Sequence, residues 1–269
     1  MSNLPKYIVA IASGKGGVGK STVAVNLAAA LVTLGHKVGL LDADIYGPSQ
    51  RQMLGVAESV TPDQRDGKYI LPVMAHGIAA MSMGFLTSER TPTVWRGPMA
   101  SGALVQMLEQ TLWGDLDILL IDMPPGTGDI QLTLSQRVTL TGAVIVTTPQ
   151  DIALLDARKA IEMFNKVNVP ILGLVENMAV HICSQCGHQE HVFGELGGQR
   201  LAGEYQIPVL ASLPLSLRTR ENSDAGQPLV FSVPASSEAA SFLDAGEQLW
   251  AVVSGSEVPT APTITMGDD

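Results

Sequence analysis

The sequence predicts an α/β domain built on a mostly parallel sheet with helices on both faces. Short apolar runs alternate with segments of helical apolar spacing, and the first run opens onto a glycine-rich turn. The composition agrees. Of 269 residues, 46% are apolar, 16% charged and 4% aromatic, with 27 glycines, which supplies a sizeable core and argues against disorder.

Tyr7–Ser13 (YIVAIAS) reads as the first strand, and Ser21–Leu34 as the first helix, closed by Gly35 as a plausible C′ residue. Lys37–Asp42, Ile118–Asp122, Ala143–Thr148 and Ile171–Glu176 are four further strand-like runs, each ending in polar, Gly- or Pro-bearing residues. Between them Ser101–Gln110, Ile130–Arg137 and Ile152–Val167 carry helical spacing. Residues 56–98 break the rhythm with scattered Pro, Gly and Met and read as an irregular insertion holding one hairpin. A short strand precedes Leu213-Pro214, Ala235–Val253 forms a last amphipathic helix, and residues 254–269 read as a disordered tail. With no repeat and no internal boundary, residues 1–253 are expected to form one domain. Its ligands should bind at the carboxyl ends of the strands.

Sixteen Lys and Arg against 26 Asp and Glu leave a net charge of −10, which excludes a sequence-independent grip on nucleic acid, since that affinity comes from displacing counterions with cations. No apolar run reaches the roughly 18 residues that a membrane span needs, and the first residues lack the pattern of a secretion signal. A cytoplasmic protein without membrane or nucleic-acid partners is expected.

Gly14-Lys15-Gly16-Gly17-Val18-Gly19-Lys20-Ser21 satisfies G-x-x-x-x-G-K-[ST] between a strand and a helix. The glycines let successive backbone N–H groups turn inward round a polyphosphate, and the helix N-terminus adds its positive dipole end. Lys20 reaches the β- and γ-phosphates, the Ser21 hydroxyl binds Mg²⁺, and Thr22 adds a donor toward the α-phosphate. ATP is the expected ligand. Asp42 and Asp44 follow the second strand and would project on one side if the strand continued. Asp122, ending an apolar strand, is placed to meet Mg²⁺ through water. The segment Met123–Asp129 (MPPGTGD) suits a switch loop, because its prolines exclude regular structure and its glycines permit unusual dihedrals. Asn177 has both donor and acceptor for adenine or for the loop backbone, and Pro214 could pack against the ring.

Cys183 and Cys186 are the two cysteines, spaced C-x-x-C, with Gly187 beside them. Two thiolates bite one metal or cluster from one side, yet two ligands do not close a four-ligand site. Either a second copy of the chain supplies another pair across a two-fold axis, or His188 and His191 complete a local zinc site. A thioredoxin-like dithiol would need a helix N-terminus, which the flanking residues do not suggest.

The run Lys15–Ser21, K-G-G-x-G-K-S, resembles the deviant Walker A P-loop NTPases. With DADIYGPS (from Asp42), WRGPM (Trp95–Met99), DMPPGTGD (Asp122–Asp129) and ENM before the cysteines, the sequence closely resembles their Mrp/ApbC branch of iron–sulfur cluster carriers from about Tyr7 to Trp250. The resemblance implies a homodimer in which Lys15 reaches the partner's phosphates, Asp44 positions the attacking water and Asp42 supports the magnesium shell. It also implies that Asn177 and Pro214 border the base, and that a labile 4Fe-4S cluster bridges the subunits. That cluster would pass to apoproteins, exchanged with cluster scaffolds, with slow ATP hydrolysis. Two features depart from the resembled pattern: many bacterial relatives carry a small extra N-terminal domain, and Glu195-Leu196 interrupts a Gly-rich stretch. The rival is a zinc-clamped dimeric ATPase with a spatial-positioning role. Membrane-associated positioning relatives use a basic last helix, and Ala235–Val253 has no Lys or Arg.

Overall fold

The computed structural model describes residues 4–86, 97–183 and 185–255. In chain order the elements are β1 Tyr7–Ala12, α1 Lys20–Thr33, β2 Val38–Asp42, α2 Gln50–Met53, β3 Gln64–Arg65, β4 Tyr69–Ile70, β5 Val73–Ala75 and β6 Ile78–Ser82. They continue with α3 Gly97–Gln110, β7 Ile118–Asp122, α4 Asp129–Arg137, β8 Gly142–Thr147, α5 Asp151–Lys166, β9 Ile171–Glu176, β10 His181–Ile182 and β11 Gln189–Glu190. The last are α6 Gly197–Tyr205, β12 Val209–Ser212, α7 Leu217–Asp224, α8 Leu229–Ser232 and α9 Ser237–Gly255.

Eight strands form the main sheet in the order β12-β9-β8-β1-β7-β2-β6-β5. All neighbours are parallel except β5, which closes the edge antiparallel to β6. Parallel strands need both faces covered, and the alternation along β1 divides the core accordingly. Tyr7, Val9 and Ile11 face the layer of α1, α8 and α9, whereas Ile8, Ala10 and Ala12 face the layer of α3 to α6. Along α9 the apolar stripe Phe242, Ala245, Leu249 and Val253 is buried in the first of these layers. The stripe covers the sheet, as its lack of basic residues suggests.

Residues 56–98 contain more order than one hairpin. β3 pairs with β4, and a second hairpin joins β5 to β6, with Ala75 opposite Ile78. The two turn residues His76 and Gly77 both have positive φ, 52° and 81°, the geometry of the tight turns that match strand twist. β6 is wholly buried and lies parallel beside β2. Its sequence, IAAMS, has one β-branched residue, so its strand character comes from tertiary burial and not from local preference. Trp95 and Arg96 of the WRGPM motif and residues 256–269 of the expected tail lie outside the described residues.

Because β1, β2, β7, β8, β9 and β12 run parallel, the loops after them gather at one end of the sheet. The phosphate loop, the acidic strand ends and the segment leading to the cysteines all belong to that set.

Candidate functional site: a phosphate cradle and a dithiol hairpin

The phosphate loop leaves β1 at Ser13, whose hydroxyl donates to the Lys15 carbonyl at 2.9 Å. Gly17 and Gly19 both sit at φ 82°, a region that side chains with a Cβ rarely adopt. α1 begins at Lys20 with Gly19 as its N-cap and no side-chain cap, which leaves its first N–H groups for an anion. The loop passes close over α5. A Cβ at Gly14 would stand 2.0 Å from the Asp156 carbonyl oxygen, a backbone atom that has no room to retreat. Gly14→Ala is therefore expected to lower unfolding stability by about 3 kcal/mol, read as a drop in the urea midpoint at unchanged slope.

Lys20 is only 6% exposed, and its ammonium is ion-paired with the fully buried Asp122 carboxylate. It also approaches the Ser21 hydroxyl at 3.3 Å. A buried ammonium needs a counter-charge, and Asp122 supplies it. The second oxygen of Asp122 accepts from the Gln50 side-chain amide at 2.8 Å.

Asp42 lies beside Asp122 in the sheet register. β2 stops at Asp42, so the two carboxylates of the D-x-D pair do not continue along one strand face. Asp42 is fully buried and accepts from the backbone N–H of Asp44, Ser49 and Gln50 and from the Ser82 hydroxyl, at 3.0–3.1 Å. Burial, with the Asp122 charge beside it, pushes the Asp42 carboxyl up to about 7. Its bonds fold the 43–50 loop back over the sheet. That loop carries Asp44 to the rim of a cradle of about 220 Å³ shared with Lys15, Gly17, Ser21, Thr22 and Pro125. Burial also raises the Asp44 carboxyl above its usual range. Lys15 is half-buried at this rim, with no carboxylate partner among the described residues.

A cavity of about 230 Å³ adjoins the loop on the side of Gly19 and Thr22 and is walled by Asn177, Met178, Pro214 and Phe242. The Asn177 amide donates to the Val18 carbonyl at 2.8 Å. It thus satisfies the loop backbone while lining the cavity.

The cysteines occupy the turn of the β10–β11 hairpin. The Cys183 N–H donates to the His188 carbonyl and the Gly187 N–H to the Cys183 carbonyl, each at 2.9 Å, with Gly187 at φ 71°. Both thiols are free, and Cys186 is exposed. Hydrogen bonds from the backbone of Cys186 and of Gln185, then from the Cys186 thiol, lower the Cys183 pKa and favour the thiolate. The His191 ring is held by the Ala179 carbonyl at 2.9 Å. Among the described residues no three His, Cys, Asp or Glu side chains gather into a metal-binding group, so His188 and His191 do not close a local four-ligand site with the thiols.

The hairpin is fastened to the cavity wall. Ala179 N–H donates to the Leu213 carbonyl and Leu215 N–H to the Val180 carbonyl, both at 2.8 Å, and His181 bridges to Leu215. Below it, the buried Glu176 accepts from Gly198 N–H at 2.6 Å and ties β9 to the start of α6. Gln50 was not legible as a site residue in the sequence, because a lone Gln carries no spacing signal; Glu176 stood in the ENM motif, but its bond to α6 was not legible there.

The family model described as ParA, NUBPL iron-transfer P-loop NTPase, matches residues 5–250. The iron-sulfur cluster carrier protein of Pseudomonas fragi is 65% identical over 229 residues, covering 85% of this chain and 80% of that protein. The protein of the same name from Escherichia coli K12 is 60% identical over 231 residues, covering 86% of this chain but 62% of its own length. Among solved structures, a nucleotide-binding protein from Archaeoglobus fulgidus in complex with ADP superposes with a TM-score of 0.73 at 39% identity, over 83% of this chain and 87% of that one.

Proposed function

The chain belongs to the NUBPL iron-transfer P-loop NTPases of the ParA group, and from that membership we propose that it is an ATP-dependent iron–sulfur cluster carrier. Cys183 and Cys186 of two subunits hold a bridging 4Fe-4S cluster as cargo and release it to apoproteins. The observation that carries this reading is the dithiol hairpin hydrogen-bonded to the wall of the nucleotide cavity. Each chain offers two sulfurs, and a two-fold axis supplies the other two. The relatives named as cluster carriers support cluster over zinc as the cargo.

ATP binds along residues 14–22, with its base in the cavity beside Asn177 and Pro214. The hydroxyl of Ser21 and the carboxylate of Asp122 are oxygen donors of the kind Mg²⁺ takes, with Asp42 supporting the magnesium shell from behind and holding the loop that presents Asp44. The ion, when bound, neutralises charge on the β- and γ-phosphates. Lys20 exchanges Asp122 for phosphate as nucleotide enters. Lys15 stands at the rim, where it would meet the partner subunit's γ-phosphate in a face-to-face dimer and act as an arginine finger does. Asp44 orients the attacking water. Hydrolysis is slow and serves to reset the dimer, not to supply product. No helix among the described residues is long and apolar enough to cross a membrane. The likeness to the bacterial carrier proteins supports a cytoplasmic place of action.

Transfer is the direct test. Protein loaded anaerobically with iron and sulfide is mixed with an apo 4Fe-4S enzyme, and recovery of that enzyme's activity is followed with and without Mg·ATP. Recovery that outpaces free iron and sulfide, and changes with Mg·ATP, is expected. Stoichiometric zinc in the purified protein, with no cluster absorption after reconstitution, would replace the reading with the zinc-clamped ATPase.

A further inference from the structure

Two buried side-chain oxygens lack a hydrogen-bond partner among the described residues: Oε1 of Gln50 and Oε1 of Gln131. Both amides flank the acidic end of the sheet. Gln131 donates to the Pro124 carbonyl and lines a cavity with Asp44 and Pro125, while Gln50 is built into the Asp122 site itself. Gln50 is 1% exposed, and its Nε2 lies between two acceptors, Asp122 Oδ2 at 2.8 Å and the Ser21 carbonyl at 3.1 Å. These two acceptors fix which end of the amide is nitrogen, since the flipped amide would set oxygen against oxygen twice. The orphaned acceptor is therefore a property of the site. Its own backbone N–H is held by Asp42 at 3.1 Å, so the side chain has little freedom to seek another donor.

An unsatisfied buried carbonyl in one state calls for a donor that arrives in another. The neighbouring groups identify it. Ser21 and Asp122 are the oxygen donors that fit a hydrated divalent ion, and Lys20 must leave Asp122 when phosphate enters. Resting on the Mg·ATP reading above, we propose that Gln50 is a positioning residue for the divalent ion. Its amide N–H group keeps Asp122 aimed while Lys20 changes partner, and its Oε1 accepts a hydrogen bond from a water that enters with the ion.

The test uses the full chain and Gln50→Met, which keeps length and flexibility but has neither amide group. Mn²⁺ binding to the ADP complex is measured by calorimetry and by the loss of free-ion electron paramagnetic resonance signal, and ADP affinity is measured separately in EDTA. Mn²⁺ affinity is expected to fall about tenfold or more, the range found when outer ligands of a metal site are removed, with ADP affinity in EDTA held within about twofold of wild type by the loop backbone contacts. Unchanged Mn²⁺ affinity overturns the proposal. So does a parallel loss in both arms, which would mark Gln50 as a strut for the 43–50 loop. Gln50→Leu carries the same measurements if Gln50→Met does not fold. A wild-type chain whose ADP complex takes up no Mn²⁺ would instead defeat the Mg·ATP reading on which the proposal rests.

Discussion

Cys183→Ala abolishes the cluster: after anaerobic reconstitution, iron and acid-labile sulfide are expected at background and the charge-transfer absorption disappears. On the bridging-cluster reading proposed above, a subunit left with one sulfur would give a dimer two ligands in place of four, and a cubane with half its thiolates missing would not be retained. Cys186→Ala should be equally severe, because each sulfur is an irreplaceable ligand. The fold should not share the loss. Both residues sit in the turn of a short hairpin, Cys186 is exposed, and surface changes of this kind cost within about 0.5 kcal/mol. The checks are iron and sulfide analysis beside a thermal melt. A variant that keeps wild-type iron would place the cluster elsewhere on the chain.

Lys20→Ala is the second large effect, and it acts on two quantities at once. Removing the cation proposed to meet developing phosphoryl charge is expected to lower kcat/KM for ATP by about 10²–10³. It also strands Asp122, fully buried and deprived of its ion-pair partner, at a cost of about 3–5 kcal/mol in stability. The double variant Lys20→Ala/Asp122→Asn isolates the stability effect: neutralising the stranded carboxylate should return most of the melting temperature. Turnover, which Asp122 also serves through the proposed ion site, is read from Lys20→Ala alone below its melting temperature and should stay low in both. If turnover returns with stability, Lys20 is a structural cation and the catalytic assignment fails. Among the described residues Lys15 has no carboxylate partner to strand, so Lys15→Ala should reduce turnover at nearly unchanged stability.

The parts of the molecule legible in the sequence are those whose geometry is local. The phosphate loop reads from spacing alone because its glycines, lysine and serine contact the same few ångströms of backbone. The strands from Tyr7, Lys37, Ile118, Ala143 and Ile171 read from runs of Val, Ile and Leu, and their observed bounds differ by a residue at most. β6 was hidden because Ile78–Ser82 is a strand by virtue of what buries it. Gln50 was hidden for a related reason. Its partner Asp122 is 72 residues away, and nothing in a run of sequence announces which amide will fold back onto which carboxylate. For Asp42 the sequence gives the residue and its place at a strand end, whereas its four donors come from two separate segments, the 43–50 loop and Ser82 of β6.

The backbone rungs joining Ala179 to Leu213 and Leu215 to Val180 tie the sulfur-bearing hairpin directly to the wall of the cavity proposed to take the purine. Thermodynamic linkage then leaves no choice of direction. By whatever factor bound nucleotide were to loosen or tighten the hold on the proposed cargo, a resident cargo would alter nucleotide affinity by the same factor, so any such coupling would make a laden carrier and an empty one compete unequally for ATP.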